Sequence, residues 1–190
     1  MSSLPTARLT TEAFLELERA AEEKHEYWHG EVFAMADGSP AHSLVISNIQ
    51  IALGMRLAGK RCYVFNSDLR VIVRAGELVT YPDITVLCDK PRYSDDRKDT
   101  LSNPTLVVEV LSPSTRKTDL GEKAFLYRQM TSLKEILVVD QTPGVIEHHW
   151  KLPNGHWELE VLSDPGAAIK MESLGFDLPV SEVYSNIEVL

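Results

Sequence analysis

Two short apolar runs, each carrying a single acidic residue, constrain this chain most strongly. The first run, residues 81–87, has Asp83 inside it and is expected to form one strand; the second, residues 106–111, has Glu109 inside it. Continuous runs rich in β-branched residues are typical of strands buried on both faces. A carboxylate in such a strand is costly unless another group pairs with it. The two acids therefore predict a metal site or an acid/base pair rather than an ordinary core.

The rest of the chain alternates helical and strand-like segments. Thr10-Thr11 can cap a helix from about Glu12, and Ser39-Pro40 can start a helix that ends near Gly59. A third helix is expected from Asp119 to about Met130. Strand patterns occupy residues 31–35, 62–66, 69–73, 135–140 and a C-terminal meander over 145–162. This mixture predicts an α/β or α+β fold in which helices flank one central mixed sheet. With no repeat or linker, residues 1–190 are expected to form a single domain.

Charge is distributed unevenly along the chain. The net charge of −9 at first argues against a nucleic-acid partner. Residues 56–134, however, hold 14 basic and 10 acidic residues, whereas the two flanks together hold 5 basic and 18 acidic residues. The basic region contains Asp83 and Glu109 and could hold a phosphate backbone. A solvated surface of mixed charge is the commoner explanation of such a pattern.

Nothing in the sequence predicts a membrane or secreted location. No apolar run approaches the roughly 20 residues that span a bilayer, and the N-terminus lacks the charged start and apolar segment of a secretory signal. The two cysteines, Cys62 and Cys88, fall in strand-like runs and are expected to be buried free thiols. We therefore expect a cytoplasmic protein without a membrane segment.

The acidic pair is suited to a hard divalent cation. Asp83 and Glu109 lie 26 positions apart, which allows their strands to be neighbours with both carboxylates on one face. Mg²⁺ takes one or two carboxylates together with water and phosphate oxygens, so Mg²⁺ or Mn²⁺ is the expected cofactor. Lys123 is the candidate catalytic cation, because it shares a helix face with Asp119 and Tyr127. Asp119 itself is expected mainly to cap that helix.

These residues follow a known family pattern. The order Pro82-Asp83 then Glu109-Val110-Leu111 resembles the PD-(D/E)XK nuclease superfamily, and the whole chain resembles the Uma-two family of restriction-endonuclease-like proteins. The resemblance covers roughly residues 10 to 185 and is most specific from Val107 to Lys123. Its other parts are His25-Glu26-Tyr27 with Gly30-Glu31, Ala41-His42, Tyr81-Pro82-Asp83, Tyr127, and residues 133–140.

The resemblance implies a restriction-endonuclease-like core, a divalent metal and hydrolysis of phosphodiester bonds in DNA. It also implies a homodimer that acts on double-stranded DNA. The chain departs from the superfamily at Leu111, where the pattern would place the catalytic lysine. In the proteins that this chain resembles, the lysine is supplied by the next helix, which corresponds to Lys123. The implied catalytic residues are therefore Asp83, Glu109 and Lys123.

Further residues are candidates for the edge of the site. Glu26 stands where the superfamily often adds an acid from the first helix and could complete the metal shell, with Glu31 as its competitor. His42, at the start of a helix, could contact phosphate or act as a base. Lys117, with its neighbour Arg116, could also contact phosphate. His148 and His149 are not expected to bind a metal, because consecutive strand residues point to opposite faces.

Three classes of function fit this pattern. The first is a metal-dependent endonuclease. The second is a nucleic-acid-binding or assembly module that keeps the nuclease fold without turnover, which Leu111 and the acidic total charge favour. The third is a metal-dependent hydrolase that acts on a phosphate substrate other than nucleic acid.

Overall fold

The structure is a computed structural model that describes residues 8–35, 38–111 and 119–187. Its helices are α1 (Thr11–Ala20), α2 (Pro40–Leu57), α3 (Ala124–Gln129) and α4 (Val180–Val183), and a π-helical segment, Asp119–Lys123, leads directly into α3. The caps predicted from the sequence are present. Thr10 Oγ1 accepts a hydrogen bond from the Ala13 amide, and Ser39 Oγ accepts one from the His42 amide, with Pro40 in the first turn of α2.

Most strands lie in two mixed sheets. The five-stranded sheet has the order β2-β1-β5-β4-β7 and contains β1 (His25–Trp28), β2 (Glu31–Ala34), β4 (Arg70–Arg74), β5 (Leu78–Thr80) and β7 (Thr100–Leu101). The six-stranded sheet has the order β11-β10-β9-β8-β6-β3 and contains β3 (Tyr63–Asn66), β6 (Ile84–Leu87), β8 (Leu106–Leu111), β9 (Glu135–Asp140), β10 (Ile146–Lys151) and β11 (Trp157–Leu162). Strands β10 and β11 correspond to the predicted C-terminal meander, and the separately predicted strand β9 pairs with β10. A separate hairpin joins β12 (Ala168–Met171) to β13 (Phe176–Pro179).

The predicted mixed α+β class is confirmed, but the expectation of one central sheet is wrong. The run that was expected to form a single strand through Asp83 is divided into β5 and β6, which belong to different sheets. The division falls at Tyr81-Pro82-Asp83. Proline has no amide hydrogen and cannot donate to a strand ladder, so the chain leaves one sheet and enters the other there. Asp83 consequently precedes β6 instead of lying within it.

The core places Glu109 between the sheets. Alternate residues of β8 point to opposite faces. Val108 and Val110 pack against α2 in the larger apolar cluster, whereas Val107 and Leu111 join a second cluster on the other side. That second cluster includes Tyr127 of α3, Val71 of β4, and Ile136 and Val138 of β9. Glu109 shares the face of Val107 and Leu111 and so points toward α3 and the five-stranded sheet.

Glu26 is a strand residue and does not lie at the end of the first helix. Helix α1 ends at Ala20, and Ala21 already has an extended backbone. The chain then enters β1, in which Tyr27 pairs with Val79 of β5. The helix ends earlier than the sequence suggested because long-range pairing with β5 competes with local helix propensity in this segment.

The cysteines are also not free thiols as expected. Cys62 and Cys88 form a disulfide bond and lie just outside β3 and β6. Tyr63 pairs with Leu87 in the antiparallel ladder, so the next positions outward, Cys62 and Cys88, face each other. The sequence could not reveal this bond, because it depends on the register of two strands that are distant along the chain.

Candidate active site

Asp83 and Glu109 occupy facing positions where β6 enters the six-stranded sheet. Ile84 pairs with Val108, so Asp83 comes one residue before that pair and Glu109 one residue after it. The Val110 amide donates a 2.7 Å hydrogen bond to Asp83 Oδ2. This bond fixes the Asp83 side chain against β8 and takes the place of a ladder bond from β6.

Glu109 is buried and is held by two groups of the following helical segment. The Tyr127 hydroxyl donates a 2.6 Å hydrogen bond to Glu109 Oε1, and Lys123 Nζ lies 3.3 Å from the same oxygen. Lys123 and Tyr127 are four residues apart and therefore share one helix face. The structure thus brings Lys123 to Glu109, although Leu111 occupies the position at which the superfamily pattern has its lysine.

Lys123 also reaches the second sheet. Its Nζ donates a 2.8 Å hydrogen bond to Glu26 Oε1, and the Thr80 hydroxyl donates to the same oxygen. We call the series Thr80, Glu26, Lys123, Glu109 and Tyr127 the polar chain. The side chains of Lys123 and Glu109 are each only 6% exposed. Because little water reaches them, each charge is stabilised by the opposite charge of its neighbour.

Tyr127 acts as a hydrogen-bond donor to Glu109. The pKa of its hydroxyl is raised well above the ordinary value, first by burial and next by the negative charge of Glu109. An ordinary phenol is already protonated at neutral pH, and the raised pKa keeps the Tyr127 hydroxyl a hydrogen-bond donor to Glu109 in alkaline solution as well. Thr80 was not identified from the sequence, because its contact with Glu26 depends on the pairing of β1 with β5.

His42 contacts β8 from the first turn of α2. His42 Nε2 lies 2.9 Å from the Val110 carbonyl oxygen and 3.5 Å from Asp83 Oδ2. Both neighbours are acceptors, so Nε2 carries a proton. A Cβ atom on Gly38 would lie 2.6 Å from His42 Nδ1, so glycine leaves room for the ring. His42 therefore joins α2 to Asp83 and to the Val110 peptide.

The other candidates are placed differently. Glu31 is exposed and pairs with Trp28, whereas the Glu26 carboxylate is the one that contacts Lys123. His148 and His149 are buried on opposite faces of β10. Burial and the nearby Arg128 lower the pKa of His149 to about 4. Lys117 and Arg116 lie outside the described residues, as does the side chain of Asp119.

The oxygen donors at the site can be compared with those that a divalent metal ion requires. In the described part of the chain, no three or more His, Cys, Asp or Glu side chains are grouped so that they could hold a metal ion. Mg²⁺ commonly needs only one or two protein carboxylates, with water and substrate oxygens completing its shell. Asp83 and Glu109, with the adjacent Val110 carbonyl, fit that limited requirement as a donor set.

None of the helices over residues 8–35, 38–111 and 119–187 is long and apolar enough to cross a lipid bilayer.

Comparisons with known proteins agree with this architecture. A crystal structure described as that of "a putative nuclease belonging to DUF820" from Anabaena variabilis ATCC 29413 is similar, with a TM-score of 0.75 and 20% identity. The similarity covers 94% of this chain and 99% of that one. At this identity the similarity shows that the two proteins share a fold.

Sequence relatives cover nearly the whole chain. "Uncharacterized protein slr1290" of Synechocystis is 35% identical over 187 residues, covering 97% of this chain and 96% of its own length. "Uncharacterized protein sll1609" of the same organism is 32% identical over 165 residues, covering 87% and 93%. The model of the Uma2 family, described as "Putative restriction endonuclease", matches residues 11–181. The chain therefore belongs to the Uma2 family.

Proposed function

We propose that this protein is a metal-dependent endonuclease that hydrolyses phosphodiester bonds of DNA. The observation that carries the proposal is the position of Lys123, whose ammonium group lies 3.3 Å from Glu109 and 2.8 Å from Glu26. A cation is thereby present beside Glu109, although Leu111 occupies the usual lysine position. Membership of a family of restriction-endonuclease-like proteins supports the same reaction class.

Each residue has a distinct role in this proposal. Asp83 and Glu109 would hold Mg²⁺ or Mn²⁺, with the Val110 carbonyl and Glu26 nearby. When bound, such a cation supplies Lewis acidity toward a phosphoryl oxygen and favours deprotonation of water at neutral pH. Lys123 orients the attacking water and stabilises negative charge as it develops on the phosphoryl oxygens. Tyr127 fixes the rotamer of Glu109, and His42 fixes the Val110 peptide.

The substrate and assembly belong to the same proposal. The Uma-two resemblance supports double-stranded DNA as the substrate and a homodimer as the acting form. His42 and Lys117 are proposed to lie at the edge of the substrate site, and His42 would act there mainly by positioning Asp83. A cytoplasmic location is proposed as well.

One test is plasmid cleavage with Mg²⁺ or Mn²⁺. The Asp83→Asn and Glu109→Gln substitutions should each lower the cleavage rate about 10²-fold or more, because each removes a charged oxygen donor from the site. Titration calorimetry should show weaker Mn²⁺ binding by both variants. Asp164→Asn and Glu160→Gln, which replace exposed acids, are matched controls and should cleave normally. Cleavage at the normal rate by both site variants would contradict the proposal.

A second candidate is a nucleic-acid-binding or assembly module that keeps the fold without turnover. Leu111 in the usual lysine position and the net charge of −9 favour it. Such a module should bind DNA equally with and without Mg²⁺ and leave the DNA intact, so the same plasmid and calorimetric measurements separate the two functions.

A further inference from the structure

Phe33 lies at the open edge of the candidate active site. It belongs to β2, the outermost strand of the five-stranded sheet, and pairs directly with Glu26 of β1. Directly opposed residues of an antiparallel pair point to the same face, with Cβ atoms about 4.5–5.5 Å apart. The Glu26 carboxylate contacts Lys123 on that face. The Phe33 side chain therefore stands next to the polar chain.

The aromatic ring of Phe33 is exposed, as are the other residues of the edge strand β2. Phe33 is 50% exposed, although it is adjacent to a site whose charged groups are mostly buried. Single exposed apolar residues are common on protein surfaces. Phe125, for example, is 59% exposed, but it lies two residues after Lys123 on the helix and so points away from the face shared by Lys123 and Tyr127. Phe33 differs because strand pairing places it beside Glu26.

In the described part of the chain, ion pairs engage several of the basic side chains. The proposed basic region, residues 56–134, contains five arginines that form ion pairs with acids: Arg56 with Glu182, Arg70 with Asp99, Arg74 with Glu77, Arg92 with Asp89, and Arg97 with Glu16. Lys123 is itself flanked by two carboxylates. Neutralisation of phosphates supplies most non-specific DNA affinity, and with a net charge of −9 on the chain an uncharged contact would add usefully to that affinity.

We propose that Phe33 is a stacking platform for a nucleobase adjacent to the scissile phosphodiester. This inference rests on the proposed nuclease function and specifies its substrate. Aromatic stacking is insensitive to net charge and accepts any base, because every base has a π-face. A base can reach Phe33 only after it leaves the base stack. The protein therefore prefers DNA with an unpaired base next to the cut, because unstacking costs least there.

Binding of a fluorescent base tests stacking without any requirement for cleavage. The probe is a DNA duplex with one bulged 2-aminopurine, bound to Asp83→Asn protein in Mg²⁺. Stacking on Phe33 should quench the fluorescence. Adding Phe33→Ala should abolish the quenching and weaken binding about 5- to 150-fold. Phe33→Trp should retain both the quenching and the binding affinity. Phe125→Ala is the control and should behave like the Asp83→Asn protein.

Cleavage separates this inference from the function on which it rests. Protein with the natural Asp83 should cut a bulged duplex faster than a fully paired one, and Phe33→Ala should remove the difference. If Phe33→Ala binds and quenches like its parent, the stacking role is overturned even if DNA cleavage is found. If quenching depends on Phe33 but no DNA is cut, the stacking site stands and the proposed hydrolysis fails.

Discussion

Lys123 illustrates how a single side chain can connect two sheets. Its ammonium group lies between Glu26 of the five-stranded sheet and Glu109 of the six-stranded sheet, and all three side chains are largely shielded from water. Removing one partner from a buried ionic group leaves an uncompensated charge, which costs far more than the intact group contributes. The same residue thus serves stability and, in the proposed mechanism, catalysis.

Replacing Lys123 should therefore affect both properties. We expect Lys123→Met, which keeps the length of the side chain, to lower the free energy of unfolding by about 3–5 kcal/mol, because the Glu26 and Glu109 carboxylates lose the ammonium group that lies between them. DNA cleavage should be lost as well. Urea denaturation and a plasmid assay measure the two effects.

The variant Lys170→Met provides a control, since Lys170 is exposed and pairs with Glu172 at the surface. It should leave the stability essentially unchanged, because a surface ion pair in water contributes little. A second variant, Lys123→Met combined with Glu26→Gln, should recover part of the lost stability because it removes one of the two negative charges that the Lys123 ammonium group contacts. If Lys123→Met is as stable as the wild type, the polar chain does not have the structural role assigned to it.

At the scale of elements, helix α2 supports the site through its first turn. Ser39 caps the helix and Pro40 begins it, which directs His42 toward Val110 and Asp83. The ring fits only because Gly38 has no side chain at its point of closest approach. The start of α2 is therefore joined to β8 through the His42 ring.

The Gly38→Ala substitution should displace the His42 ring, because its new Cβ atom would lie 2.6 Å from His42 Nδ1. We expect lower stability by about 1–3 kcal/mol, the usual cost of overpacking, and weaker Mn²⁺ binding in calorimetry. Gly54→Ala is the matched control within α2, since no atom lies within 4 Å of its added Cβ. That variant should be more stable by about 0.5–1 kcal/mol. Equal metal affinity in Gly38→Ala and wild type would show that His42 does not position the site.

For the whole molecule, local sequence patterns predicted the individual helices and strands better than they predicted how these elements assemble into sheets. The caps at Thr10 and Ser39, the runs around Glu109 and the meander are visible because each depends on neighbouring residues. The two-sheet division, the place of Glu26 on a strand and the contact with Thr80 depend on long-range strand register, which local patterns do not encode. Lys123 was placed correctly beside Glu109 through the family resemblance together with its spacing from Tyr127.

The disulfide is the clearest feature that depends on the register of strands distant along the chain. It joins the starting end of β3 to the finishing end of β6 across 26 residues. Structural disulfides are uncommon in reducing compartments, so the cytoplasmic prediction loses the support that free cysteines would have given it.

The disulfide should stabilise the protein without affecting the site. Closing a loop of this length should contribute about 3 kcal/mol to the free energy of unfolding. Cys62→Ser combined with Cys88→Ser should lose that amount and should cleave DNA normally. Reduction should lower the melting temperature of the wild type but not that of the double variant, and identical melting of the wild type with and without reductant would contradict this expectation.

The amide of Val110 offers a way to observe the site directly. It donates its proton to Asp83, while the carbonyl of the same residue accepts from His42. A nuclear magnetic resonance signal from this single amide would therefore respond to any cation, proton or substitution that reaches the Asp83 carboxylate. This amide can therefore report on the site in isotope-enriched protein, without a substrate and without an attached probe.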